Sequence, residues 1–423
     1  MADDGLAEAA LQYRQAMEGE LYGEAADATK LYIGRLLSSP DYDKRQWGDA
    51  LARLGEAQRL SGDFDAAIEN YSLAIEVLEE QTDRLNDSLI EPLLGIARAQ
   101  KDAGYLRDAV SNYKRSVHVQ QVNTGLHSIL LAETLDELSD VFYEIGDYRR
   151  ANGVRQSHVA VYSQNYPDDY LKQVDARVKQ AVMLHATGKT VDANFQYNRI
   201  ISGIESADSG RSLELLPVIF SYVDFLQKTS SGARKFNDKA RRFLRRAIHI
   251  AEKNKNATPV DRASAYIALG DYISVQTADR DAAARYYQKA WFELSQSDEL
   301  ILVRDQHLSR PKLLNPVPAD TPPAMLKVLR LAEANNDSLS SIRLAVGFDV
   351  DSSGRADNIR VLEGDPTGYL DPILVRTVKM FAFRPGFVDA EPVNVSNQMY
   401  VIDYPVADMN VDFGQNSFSQ GAN

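Results

Sequence analysis

Cysteine is absent from the 423 residues, which excludes a disulfide framework and thiolate chemistry. Its absence suits an oxidising compartment. Long apolar runs are missing too. The opening stretch, MADDGLAEAA, has neither a basic start nor an apolar core, so the chain as written carries no signal peptide and no membrane span. A chain from which a signal peptide had been removed would read the same way. Positive charge is in short supply. The formal net charge of −13 disfavours general nucleic-acid binding, which needs a positive field against phosphates. Histidine is scarce: His118, His127, His158, His185, His249 and His307 form no pair at metal-ligand spacing, so no metal and no cofactor is expected. No serine lies in a nucleophile elbow. HATGKT (185–190) lacks the first glycine of a phosphate loop, with Met183 in its place. DVDSSG (349–354) lacks the later glutamate of a calcium loop and reads as a hairpin turn.

The sequence does contain a period. Ala25, Ala67, Ala109, Ala151 and Ala193 follow one another at intervals of 42 residues. Gly62, Gly104, Gly146 and Gly188 precede four of them in phase, and Phe64, Leu106 and Tyr148 stand two residues after three of the glycines. Looser units follow at Ala240, Leu244 and Ala247, and at Ala283, Tyr287 and Ala290. WGDALARLGEAQRL, before Gly62, has apolar residues three and four apart, and Ala67, Tyr71, Ala74 and Leu78 share one helical face beyond it. Each unit therefore reads as a helical hairpin turned at a glycine that tolerates positive φ. No single hairpin can bury its stripe, so the units must stack.

These residues resemble the tetratricopeptide (TPR) repeat, most closely at Leu51, Leu54, Gly55, Gly62, Phe64, Ala67, Tyr71 and Ala74. The resemblance spans residues 6–295. Arg155 and His158 replace the usual aromatic and alanine, Thr190 replaces an aromatic, and 42 residues exceed the usual repeat of about 34. It implies a right-handed α-solenoid whose groove takes peptides or protein partners. Tyr13, Tyr32, Tyr113 and Tyr197 are candidates for the groove wall or for the core. Arg241, Arg242, Arg245 and Arg246 form a basic run that reads as a solvated face, or as a surface for an anionic partner.

Five prolines in 305–324 mark a boundary, with a short helix expected at Met325–Ala334. Ile342, Leu344, Val346, Phe348 and Val350 alternate as a half-buried strand. A DSSG turn and a second strand follow, then a helix from Asp371–Pro372 and a third strand over EPVNVSNQMYVIDYPV. The order is β-β-α-β, a small α+β module after a mainly α array. The expected domains are 1–300 for the repeats, 301–335 for a proline-rich junction, 336–408 for the α+β module and 409–423 for a polar, disordered tail.

This module resembles the C-terminal domain of the TonB family over residues 340–405. The matching positions are Phe348, Val350, Asp351, Gly354, Ile359, Val361, Leu370, Val378, Phe381, Phe383, Arg384, Pro385, Pro392 and Val393. MFAFRP departs from the family at its start, and no YP segment precedes the first strand. The resemblance implies a periplasmic location and strand addition to a partner such as an outer-membrane transporter, at an edge carrying Val393, Val395, Tyr400 and Val401. The family's membrane helix and long proline-rich spacer are absent from the sequence, so the expected function is that of a non-enzymatic adaptor in outer-membrane transport or envelope assembly. The alternatives are self-association into a homodimer through the sheet edge, or binding and processing of an envelope polymer. The processing reading needs convergent acidic or histidine groups in the groove.

Overall fold

A computed structural model describes all residues except 1, 40, 208–211, 230–233, 278, 315–338, 365–367, 369 and 408–423. The described residues form a mainly α, TPR-like solenoid followed by a small β-containing region. They fall into two compact units, Met1–Glu214 and Leu215–Asn423.

The first unit is a run of helical hairpins. They are α1 (Ala2–Glu18) with α2 (Tyr22–Leu37), α3 (Lys44–Leu60) with α4 (Phe64–Gln81), α5 (Ile90–Asp102) with α6 (Leu106–Thr124), α7 (Ala132–Glu144) with α8 (Tyr148–Asn165), and α9 (Val174–Ala186) with α10 (Thr190–Ala207). The five phase alanines all have 0% exposure, because a larger side chain there would force the paired helices apart. The turn glycines Gly62, Gly104, Gly146 and Gly188 have φ of +87°, +84°, +86° and +78°, the left-handed region that side chains avoid. Helices α4, α6, α8 and α10 each begin two residues after that glycine. Polar pairs repeat with the same period: Asn70 Nδ2 donates to Gln58 Oε1, and Asn112 Nδ2 to Gln100 Oε1, both at 2.8 Å. Tyr113 and Tyr197 are core rather than groove wall. Both are almost wholly buried, and the Tyr113 hydroxyl donates to Glu137 Oε2 at 2.7 Å. Tyr13 and Tyr32 are half-buried.

The second unit begins with α11 (Leu215–Thr229), α12 (Arg234–Lys253), α13 (Pro259–Gln276), α14 (Arg280–Glu293) and α15 (Asp298–Leu308). Thr258 and Asp261 cap α13 reciprocally, and Pro259 opens it. The expected boundary at residue 300 falls inside α15, which Ser297 caps. The segment expected to be only a junction is partly structured, since β1 (Lys312–Leu313) pairs with β4 (Phe383–Arg384). The short helix expected at 325–334 and the tail 409–423 lie outside the described residues.

A three-stranded antiparallel sheet has the order β3-β2-β7, with β2 at Leu339–Val350, β3 at Ala356–Glu363 and β7 at Val395–Ala407. Helix α16 (Asp371–Lys379) covers one face. Leu374, Val378, Phe381 and Phe383 meet Leu344, Val346, Phe348 and Val350 of β2 in one core. This is the β-β-α-β order with short strands added: β4, then the hairpin of β5 (Gly386–Val388) and β6 (Glu391–Val393). The third strand read from the sequence is split at Asn394, whose Oδ1 accepts from the Ser352 N–H at 2.7 Å. In the DSSG turn, Asp351 Oδ1 accepts from the N–H groups of Ser353 and Arg355, both at 2.9 Å. Gly354 sits at φ +78°, and a Cβ there would stand 2.1 Å from the Phe383 carbonyl oxygen.

Gly95 shows how tight the repeat contact is. A Cβ at Gly95 would lie 2.1 Å from Tyr71, whose ring is also packed on Gly55. Gly95→Ala is expected to cost about 1–3 kcal/mol by overpacking, and Gly104→Ala about 1 kcal/mol by backbone strain alone. Urea denaturation of the three proteins checks this. A Gly95→Ala protein as stable as the parent would refute the close packing of Tyr71.

Candidate functional sites

Two buried arginines organise the polar interior, one in each unit. In the first unit, Arg155 stands on α8 at the position held by Tyr71 and Tyr113 in the two preceding hairpins. Tyr71 donates its hydroxyl to Glu56 Oε2 at 2.8 Å. Asp140 is two repeat periods beyond Glu56, so the tyrosine–glutamate pair has become an arginine–aspartate pair. Arg155 is 3% exposed, donates Nη2–H to Asp140 Oδ1 at 2.6 Å and bonds Asp136 through Nη1. Lys179 on α9 completes the cluster, with its Nζ 2.6 Å from Asp136 Oδ2. Burial works to raise the Asp136 carboxyl, but the bonds from Lys179 and Arg155 outweigh it and hold the group below its ordinary range. Burial raises Asp140, and the Arg155 charge only partly offsets it. The Arg155 Nε–H has no hydrogen-bond partner among the described residues.

These charges border a cavity of about 340 Å³ on the face formed by α7 and α9. Tyr143 and Val182, both more than a third exposed, supply an apolar wall. The position was visible in the sequence as a departure from the repeat at Arg155. Its partners Asp136 and Lys179 were not, because nothing in their local sequence separates them from other surface charges.

His158, the second departure, packs edge-on to Tyr162 at 5.2 Å and is 2% exposed. Burial pushes its imidazole down to about 4, with Asp136 opposing and Arg155 and Lys179 assisting.

In the second unit, Arg384 of the FRP segment is 2% exposed. Its Nε–H and Nη2–H donate to Asp271 Oδ1 and Oδ2 at 2.9 and 2.6 Å, a bidentate pair, and Nη1–H donates to the His307 carbonyl at 2.6 Å. Asp271 belongs to α13, so the β-containing region is clasped to the last helical hairpin. The Tyr287 hydroxyl also donates to Asp271 Oδ1, at 2.9 Å. Burial alone would lower the guanidinium, but the Asp271 carboxylate outweighs it and the charge is held. Beside the clasp, Phe387 is fully buried against Tyr287 and Trp291 of α14, with ring centroids 5.7 and 6.4 Å apart. The remaining TonB-like positions build the core and turn: Phe348, Val350 and Phe383 are core, Asp351 and Gly354 form the turn, and Pro392 and Val393 pair with Phe387 and Gly386.

The expected partner edge is divided. Val393 lies on β6, paired with β5, whereas Val395, Tyr400 and Val401 lie on β7. Among the described strands, β7 pairs only with β2, at one end of the sheet order. Tyr400 points inward against Phe381, with centroids 5.0 Å apart, so that edge offers main chain rather than the tyrosine ring. On α12, Arg241, Arg242 and Arg245 are exposed and Arg246 is half-buried. Among the described residues, no cluster of three or more His, Asp or Glu is placed to hold a metal ion, and no helix is long and apolar enough to cross a membrane.

Two measurements test the buried charges. Asp271→Leu is expected to cost about 3–5 kcal/mol, because it strands the buried guanidinium, and Arg384→Met less, because Asp271 is half-buried and keeps the Tyr287 hydroxyl, while the joint replacement Arg384→Met with Asp271→Leu stays near neutral. A double-mutant cycle from urea melts reads the coupling, and an Asp271→Leu cost below about 1 kcal/mol would disprove the clasp. His158 binds its proton more weakly in the folded state, so its contribution is complete above pH 6.5 and falls as pH drops toward 4. The loss is about 3 kcal/mol across that window. The stability–pH slope between pH 6.5 and 4 should flatten in His158→Ala, and an unchanged slope would show that His158 is not the group responsible.

No family model matches the chain, and none of the curated proteins compared with it matches either. Solved structures with similar folds include a Q17M form of a Podosopora anserina putative kinesin light chain with TPR-like repeats, at 15% identity over 49% of this chain and 97% of that one, with a TM-score of 0.43. Apo RapI matches at 11% identity over 70% and 99%, with a TM-score of 0.42. The apo quorum sensor NprR of B. thuringiensis matches at 14% over 71% and 77%, with a TM-score of 0.41. The expected periplasmic location is withdrawn: none of these structures supports it, and their likeness to the chain is one of fold alone. The shared fold is that of a TPR-type α-solenoid.

Proposed function

We propose that this protein is a non-enzymatic adaptor that holds a segment of a partner protein against α7 and α9. The observation that carries this reading is the cavity beside Arg155. It combines an apolar wall at Tyr143 and Val182 with charges fixed in place by mutual bonds, which lets it grip side chains and set their register. Asp136 and Asp140 both bond the same guanidinium, which supports a binding role over a hydrolytic one. A second contact is supported by the position of β7 at the end of the described sheet and by the module's resemblance to the TonB family, whose members add a partner strand at a sheet edge. A second copy of the chain pairing at β7 would appear as a concentration-dependent dimer.

Selection from a displayed peptide library tests the first contact. Peptides enriched on the parent protein are expected to lose at least about tenfold in affinity on Val182→Asp. They should be unaffected by Val388→Asp, an exposed site of the other unit, 55% accessible. Equal binding to both variants would refute the α7–α9 site.

A further inference from the structure

The clasp at Arg384 borders a second cavity, of about 230 Å³, within the Leu215–Asn423 unit. Its walls are apolar: Phe220 of α11, Val260, Ile267 and Ala268 of α13, Leu294, and Val303 of α15. Its polar lining residues include Arg384 and Asp271, with Lys312 paired to Arg384 across β1 and β4, and His307, whose carbonyl accepts from Arg384. Ser264 adds a hydroxyl along the α13 wall.

The charges do not cancel. Asp271 is spent on Arg384 through two hydrogen bonds, so that pair is locally neutral. Lys312 is exposed and makes no ion pair among the described residues. Arg384, Lys312 and Asp271 together leave one positive charge at the polar end of an apolar pocket. Lys312 is thus a cation available to an anionic group at the mouth of the cavity. At about 30 Å³ per water-sized group, the cavity has room for about eight such groups.

We propose that this cavity binds an aliphatic carboxylate, with the hydrocarbon between α11, α13 and α15 and the carboxylate on Lys312, beside the Arg384–Asp271 pair. The ligand chemistry is a single anionic head on an unbranched or lightly branched chain of modest length. A free aliphatic acid and the carboxyl-terminal residue of a peptide both present it. This site lies in the other unit from the α7–α9 cavity and stands or falls separately from it.

Calorimetric titration of the full chain with octanoate tests the proposal. One saturable site is expected, with octanol (no charge) and acetate (no chain) each binding at least about tenfold more weakly. Lys312→Gln, at an exposed position, should weaken octanoate about tenfold. Ala268→Leu, which fills the cavity, should abolish binding, and a near-unchanged melting temperature will show that it has folded. Val182→Asp should leave octanoate binding untouched. Ala-Leu with a free carboxyl and its amide separate the two sources: a free-acid dipeptide that outcompetes both octanoate and its own amide assigns the site to a chain terminus, and the reverse order assigns it to a free acid. Absence of saturable octanoate binding at millimolar concentration, or binding unchanged in both Lys312→Gln and Ala268→Leu, would overturn the proposal.

Discussion

No helical hairpin in this chain can cover its own apolar stripe, and the rest of the structure follows from that constraint. Stacking solves the problem in the interior of the array, where an alanine of zero exposure in each hairpin lets the next helix approach. It leaves the problem unsolved at the ends. At the carboxyl end the solution lies in the short strands β4 and β5: Phe387 covers Tyr287 and Trp291, and Arg384 closes onto Asp271. The β-containing region is thus a cap for the last hairpin as well as a module with its own core.

The two arginines show the same physics used for different ends. Each is nearly dry, and each is tolerable only because carboxylates meet its fork. At Arg384 the carboxylate is bidentate and the result is a joint between elements. At Arg155 the charge is shared between Asp136 and Asp140, Lys179 joins from the next hairpin, and the result is a polar floor for a cavity. A buried ion pair contributes little net stability compared with apolar packing, but it penalises every arrangement that breaks it.

The periodic part of this architecture was legible in the sequence because a repeat makes the same demand many times over. Glycines at φ near +80° and alanines at zero exposure leave their mark at every interval of 42. The order of the small module was legible from the alternation of Leu344 through Val350 and the turn at Gly354. What escaped was long-range. Arg384 read as part of a family motif, and nothing near it in sequence announced Asp271, 113 residues earlier. Tyr113 and Tyr197 read equally well as groove or core, because a helix pattern gives a face but not what that face meets. The strand split at Asn394 was hidden because a change of strand partner, from β5 to β2, has no hydrophobic signature.

The clasp also dictates an order of events during synthesis. Helical hairpins close from neighbouring residues and form as soon as they emerge, whereas β1 must wait for β4 and Asp271 must wait for Arg384. Until residues 384–387 leave the ribosome, Tyr287 and Trp291 lack the Phe387 ring and Asp271 lacks its guanidinium partner. The growing chain therefore passes through an interval in which its newest hairpin is complete in backbone but unfinished in surface. That interval, rather than the finished fold, is when the protein is most open to chaperones and to wrong partners.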